Sequence, residues 1–243
     1  MKALIAAAGK GTRLKEFTKN TNKCLLQIGG KPLLRHTVET LKKQGINEIY
    51  IITGYYSEKI KEELGGLAYY IYNQNYAETS ILGSIILAKE YLIDSEFLFI
   101  TGDSLIHPDI LKKILKVEGD IKVLIELKQC DDEDMKVVIN GYKIINMSKN
   151  IPCNLANGEY TGITLFSKKS SKTLFTEIEK SLQTKNSQYL AEILLLMQQK
   201  GYHLKPIYSE NIPRIEIDYP EDLKKAQQIY KKIKQSQLKT IKD

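Results

Sequence analysis

A chain of 243 residues with 42% hydrophobic and 27% charged residues has apolar mass for a substantial core and too little charge for wholesale disorder. Its formal charge of +7 suits an anionic partner, but its fifteen tyrosines are not interleaved with arginines as a base-stacking groove requires, which argues against nucleic acid. Three cysteines, Cys24, Cys130 and Cys153, form no CxxC pair, so neither a disulfide framework nor a zinc site is expected, and a reducing cytoplasm is the expected setting.

In chain order, Lys2–Ala8 reads as a buried strand stopped by Gly9. The run is too short for a secretory core, and no apolar stretch reaches spanning length, so no membrane insertion is expected. Pro32 stands where a helix begins, and Leu33, Leu34, Thr37, Val38 and Leu41 give that helix one apolar face, closed by Gly45. Glu48–Thr53 is the next strand; another helix and the strand Ala68–Asn73 follow. Ile81–Leu92 has helical period, and Phe97–Thr101 is a strand ending in Gly102-Asp103. This βαβ rhythm predicts a mostly parallel sheet with helices on both faces.

After residue 120 the rhythm changes. Met135–Ile139 and Tyr142–Met147 flank Asn140-Gly141, a hairpin signal. A strand near Tyr160–Phe166, helices over about Lys168–Leu182 and Gln188–Lys200, and a strand around Leu204–Ile207 come next. Arg214–Asp218 precedes a helix opened by Pro220. With no repeat or linker, residues 1–243 read as one domain. Its core is expected from about 1–120 and 203–234, with an inserted hairpin and lid region over about 121–202.

The loop behind the first strand, Gly9-Lys10-Gly11-Thr12-Arg13, is glycine-rich and basic. It is no Walker A loop, which needs GxxxxGK[ST]. Nor is it a dinucleotide fingerprint, since Leu14 stands at the third glycine and no acidic residue ends the second strand. A plain structural turn remains open. Glycines let backbone N–H groups close on phosphate oxygens, while Arg13 offers a planar fork and Lys23 a movable point charge.

The stretch AAAGKGTRLKEFTKNTNKCLLQIGGKPLL resembles the signature of the sugar-phosphate nucleotidyltransferase superfamily without a gap through Leu34, except that Asn22 stands where the motif has proline. In its proportions the chain is most similar to the small bacterial phosphocholine-type cytidylyltransferases. The resemblance implies a Rossmann-like α/β/α fold with a mostly parallel mixed sheet. It also implies a triphosphate held by Ala8, Gly9, Gly11, Thr12, Arg13 and Lys23, with Arg13 and Lys23 as the catalytic cations. TSILGSIILAKEYL resembles the base-reading segment, which points to Thr79, Ser80 and Ser84. GEYTGITLFS resembles the acceptor strand. It implies Glu159 and Tyr160 at the acceptor, with Lys136 or Lys149 on its phosphate; a solvated lysine stays open for each.

ITGDSLIHPDIL and IEIDYPEDLKKA resemble the two metal-binding segments. By position alone Asp103 is either a ligand at a strand's carboxyl end or a helix cap, and Asp218 either a ligand or the cap of the Pro220 helix. Glu216 and Asp218, two apart on a strand, share a face. The resemblance makes Asp103, Asp218 and Glu216 the Mg²⁺ ligands. It implies a Mg²⁺-dependent enzyme that transfers CMP from CTP to a small phosphorylated acceptor such as phosphocholine, phosphoglutamine or a phosphonate, with release of pyrophosphate. Such products feed surface polysaccharide or capsule synthesis. A uridylyl- or thymidylyltransferase acting on a sugar 1-phosphate is the alternative, and a non-catalytic nucleotide-binding regulator is an alternative of another class. Asp131-Asp132-Glu133-Asp134 reads as a solvated acidic turn, His36 as a helix-surface residue, and His107 only as a neighbour of Asp103.

Overall fold

The computed structural model describes residues 1–184 and 188–240. From β1 (Lys2–Ala7) the chain turns at Gly11 into 3-10 stretches Thr12–Thr18 and Lys23–Leu25. A short antiparallel pair, β2 (Gln27–Ile28) and β3 (Lys31–Pro32), leads into α1 (Leu33–Lys43), whose predicted apolar face is buried throughout. Then come β4 (Glu48–Thr53), α2 (Ser57–Leu64) and β5 (Tyr69–Tyr72). The helix expected over Ile81–Leu92 is α3 (Ile81–Ile85) and α4 (Lys89–Leu92), joined by the 3-10 turn Ile86–Ala88. β6 (Phe97–Thr101), β7 (Ser104–Ile106), α5 (Pro108–Lys116) and β8 (Ile121–Glu126) follow. The second half holds β9 (Lys136–Asn140), β10 (Lys143–Ser148), β11 (Gly158–Phe166), α6 (Lys168–Thr184), α7 (Leu190–Gln199), β12 (Leu204–Tyr208), β13 (Arg214–Glu216) and α8 (Pro220–Thr240).

Among the described residues nine strands form one mixed sheet. β6, β1, β4 and β5 run parallel, β11 lies antiparallel between β6 and β8, and β12 runs parallel to β8. Alternation along β1 explains the layers: Leu4 packs with Phe97, Phe99 and Phe166 on one face, while Ala3 and Ile5 pack with α1 residues Leu34, Val38 and Leu41 on the other. A smaller cluster under α8 joins Leu14, Ile28 and Leu105 to Ile217 and Ala226. This is the α/β/α arrangement expected.

The expected lid of about 121–202 is not a separate layer. β8 and β11 are strands of the main sheet, and α6 and α7 cover one of its faces through Phe175, Ile178, Ile193 and Leu194. The apolar side chains of this segment are too many to leave outside the core. Between β8 and β11, 127–157 holds the acidic loop and the β9–β10 hairpin, whose strands extend the same sheet beyond β11. That hairpin turns at Gly141-Tyr142, one residue later than expected, with Lys143 opposite Asn140 and Gly141 at φ +60°.

Candidate active site

β1 and β6 are parallel neighbours, so their carboxyl ends bring the glycine loop and Gly102-Asp103 together. β13 pairs with β7 and carries Glu216 to the same place, with Asp218 just beyond it. Carboxylate oxygens of Asp103, Glu216 and Asp218 lie within 4.8 Å of one another. Lys23 Nζ bridges two of them, 2.5 Å from Asp103 and 3.0 Å from Asp218. Neither Asp103 nor Asp218 serves as a helix cap. His107, not Asp103, caps α5 by accepting from Asp109 N–H, and Asp222 accepts the N–H groups of Asp218 and Tyr219, which frees the Asp218 carboxylate.

The electrostatics follow from this crowding. Burial works against the charge on Lys23, but Asp103 and Asp218 outweigh it and hold the ammonium well above the ordinary lysine range. Burial likewise opposes ionisation of Asp103, yet Lys23 keeps its carboxyl below the usual range. Glu216 is pushed up to about 8, first by burial and then by the charge of Asp103. Asp103 Oδ1 is buried with no hydrogen-bond partner. Three convergent carboxylates, one carrying an orphaned oxygen, are a hard-oxygen donor set that fits a divalent cation such as Mg²⁺.

A pH dependence follows. The Glu216 carboxyl is raised from 4.5 to about 8, so between those values the folded, metal-free protein keeps a proton that the unfolded chain has released. Its contribution to stability therefore declines as pH rises through that window. A cation binding the carboxylate must displace this proton. Mg²⁺ is expected to raise the thermal midpoint more at pH 8 than at pH 6 and to release protons on binding near pH 7. Glu216→Gln should flatten both effects; an equal Mg²⁺ shift at both pH values in the unaltered protein would remove Glu216 from the ligand set.

Two cavities meet at this cluster. The smaller, about 230 Å³, is lined by Ala8, Gly9, Gly11, Lys23, Thr79, Ser80, Ser84 and Asp103. The larger, about 640 Å³, is lined by Glu216, Asp218, Lys149, Glu159 and Tyr160; Thr101 and Ile81 belong to both. Gly11 sits at φ +61°, and a Cβ there would lie 2.9 Å from the Cβ of Lys23. Only glycine lets the loop turn so closely over the lysine stem.

Some expected residues lie elsewhere. Thr12 and Arg13 leave the glycine loop as the 3-10 stretch begins and do not line the smaller cleft. Arg13 faces the larger cavity instead, with Nη2 2.9 Å from Glu133 and Nη1 3.3 Å from Asp218. Lys136 is corrected outright: it is 1% exposed, and its ammonium donates to the carbonyls of Asp131 and Asp132, so it braces the acidic loop from beneath and does not reach the cavity. The acidic run is the exposed turn expected at Asp131, Asp132 and Glu133, with Asp134 buried, but it also edges a cavity. Asp131, Glu133 and Asp134 line the larger cavity, and Glu133 is 3.7 Å from Lys149. His107 turns away, with Nε2 2.7 Å from Ser236 Oγ, and His36 lies partly exposed on α1 with its Nε2 2.7 Å from the Ile28 carbonyl.

Other residues emerge only in three dimensions. Buried Asn73 donates to Thr79 Oγ1 at 2.9 Å and to Ser84 Oγ at 3.0 Å, which fixes two expected nucleotide contacts. Lys128 sits 3.0 Å from Asp134 and 3.1 Å from Glu159. Arg214, its side chain 3% exposed, pairs with Glu126 and reaches toward Glu159 and Glu216. Asn73 ends an expected strand, which is its one sequence signal; Lys128 and Arg214 had none.

Comparison with known proteins agrees with this geometry. The model of the MobA-like NTP transferase domain matches residues 3–159, more than half of the chain. The chain belongs to that nucleotidyltransferase family. Within the family's reach, the choline-phosphate cytidylyltransferase of Streptococcus pneumoniae is 37% identical over 147 residues, covering 59% of this chain and 62% of that relative's length. The UTP–glucose-1-phosphate uridylyltransferase of Haloferax volcanii is 27% identical over 242 residues, covering 94% and 96%. The inositol-1-phosphate CTP transferase from T. maritima superposes with a TM-score of 0.79 at 26% identity, over 96% of each chain.

Proposed function

We propose that this chain is a divalent-metal-dependent cytidylyltransferase that moves CMP from CTP to a small phosphorylated acceptor and releases pyrophosphate. The observation that carries the reading is the carboxylate cluster at the junction of two cavities: the glycine loop lies on one side, an ion-pair-rich chamber on the other. A reaction joining two phosphate groups needs this layout. The smaller cleft takes the nucleotide between the glycine loop and the Thr79–Ser84 segment, and the larger takes the acceptor.

An acceptor phosphate oxygen attacks the α-phosphorus in line, the bond to the bridging oxygen breaks, and pyrophosphate leaves. The attacking oxygen is already ionised near neutral pH, so no general base is needed, and none of the three histidines lines either cavity. The chain's own contribution is alignment and charge. Lys23 stands ready for the nucleotide phosphates. Arg13 and Lys149, held by Glu133 in the free protein, turn to phosphate when it arrives. Asp103, Glu216 and Asp218 would hold the cation, Mg²⁺ in this reading, which when bound offsets charge on the reacting phosphates.

Around the larger cavity, Glu126, Asp131, Asp134 and Glu159 outnumber their partners Lys128 and Arg214, with Tyr160, Tyr189 and Tyr219 on the walls. That excess of acid favours a cationic or zwitterionic head group, as in phosphocholine or phosphoglutamine, over a neutral polyol. Residues Lys149, Glu159 and Tyr160 are accordingly proposed as acceptor contacts. A CDP-linked product of this kind suits surface polysaccharide or capsule synthesis from the cytoplasm, and no helix among the described residues is long and apolar enough to cross a membrane.

A second reading, a uridylyltransferase on a sugar 1-phosphate, draws on the near full-length likeness to the Haloferax volcanii relative. Pyrophosphate release with Mg²⁺ across CTP, UTP, dTTP, ATP and GTP, each against phosphocholine, phosphoglutamine, aminoalkyl phosphonates and sugar 1-phosphates, separates them. Release with CTP and an amino- or ammonium-bearing acceptor is expected. Release only with UTP or dTTP and a sugar phosphate establishes the second reading, and nucleotide binding without any release leaves a non-catalytic regulator or an acceptor outside this panel.

A further inference from the structure

Asn22, standing at the motif's proline, is 1% exposed between the glycine loop and Lys23. Its Nδ2 donates to the Tyr55 carbonyl at 2.8 Å, the Ala7 carbonyl at 3.0 Å and the Gly9 carbonyl at 3.3 Å. Its Oδ1 accepts from Cys24 N–H at 3.0 Å. One amide thus satisfies backbone groups from the end of β1, the turn between β4 and α2, and the 3-10 turn that carries Lys23. Its backbone, at φ −76° and ψ 145°, is one that proline also adopts. The amide therefore holds a conformation that a proline ring would fix, and adds a tie that no proline can make.

That tie reaches the other end of the nucleotide cleft. Tyr55 N–H donates to Ala8 O at 3.0 Å, and the Tyr55 ring lies 6.3 Å from the ring of Tyr76, which lines the cleft. We infer that Asn22 is a positioning residue: its side-chain amide locks the glycine loop, Lys23 and the Tyr55–Tyr76 wall into one unit, so that the phosphate and nucleoside ends of the cleft are set together. The inference rests on the nucleotidyl-transfer reading of this cleft. A buried asparagine that merely satisfies its neighbours would affect stability without separating binding from turnover.

The test compares wild type, Asn22→Ala and Asn22→Pro by calorimetric binding of CTP (or UTP, where the wild type takes UTP), steady-state pyrophosphate release and thermal midpoint. Asn22→Ala strands buried carbonyls and the Cys24 N–H, and is expected to weaken nucleotide binding and lower kcat, each on the order of tenfold. Asn22→Pro restores the turn beneath Lys23 but not the tie to Tyr55. It should recover kcat while leaving nucleotide affinity low, with the acceptor KM unchanged in both variants. Lowered midpoints with wild-type affinity and kcat would overturn the inference. If the alanine variant does not fold, wild-type affinity in the proline variant overturns it alone. Should the wild type release no pyrophosphate at all, the functional reading fails, and nucleotide affinity in the proline variant still decides the role of Asn22.

Discussion

Asp103→Ala is expected to abolish pyrophosphate release, by on the order of 10³-fold or more, while the sheet stays folded. The backbone at this position does its structural work without the side chain: Asp103 O accepts from Ile217 N–H and so joins the end of β6 to the segment after β13. The carboxylate has a different occupation. It is buried and ion-paired with Lys23 at 2.5 Å, yet leaves Oδ1 without a partner, an arrangement that folding alone does not call for. Its charge also helps to keep a proton on Glu216, so its removal relieves repulsion within the cluster. Loss of the Lys23 pair works the other way, so the metal-free thermal midpoint should fall by a few degrees only, while the stabilisation given by Mg²⁺ should largely vanish. Asp103→Asn, which keeps shape and loses charge, should behave alike in both measurements. Wild-type turnover in either variant would move the metal site elsewhere.

What could be read ahead of the structure divides along physical lines. Elements that bury their own apolar face were legible: α1 announced all five of its buried positions, and the parallel strands announced themselves as apolar runs. The glycine loop and the three carboxylates were legible because each sits at a strand end, where a short motif fixes both the turn and the side chain. The larger cavity was legible only in part: Lys149, Glu159 and Tyr160 were named, but Lys128 and Arg214 were not, because that wall is assembled from β8, the acidic loop, β11 and β13, far apart in sequence. Lys136 illustrates the error. Its position on β9 was found correctly, but the strand alone could not reveal that the loop folds back and takes the ammonium on its carbonyls. Arg13 illustrates the converse: its charge marked it for the glycine loop's ligand, but the turn at Gly11 sends it to the larger cavity.

Lys23→Met separates two roles that one ammonium plays. In the free protein Lys23 is the counter-ion of Asp103 and Asp218, and removing one partner of a mostly buried ion pair costs about 3–5 kcal/mol at full burial. Asp218 is one-third exposed, and Asp103 or Glu216 can take up a proton, so the loss here should fall below that range. The metal-free thermal midpoint should nevertheless drop by several degrees, more at pH 8 than at pH 6, because the carboxylates then repel one another. Mg²⁺ supplies positive charge to the same three carboxylates, so it should restore the midpoint. It should not restore turnover, since the phosphates would still lack a positioned cation; a rate about 10²–10³ below wild type is expected at saturating Mg²⁺. If Lys23 served only as a counter-ion, Mg²⁺ would recover stability and rate together. Lys23→Arg sharpens the distinction. A planar guanidinium can still pair with the two carboxylates, but the glycine loop lies directly on the lysine stem at Gly11, so the longer side chain cannot present its charge where the lysine ammonium does. Arginine should therefore rescue the midpoint far better than the rate.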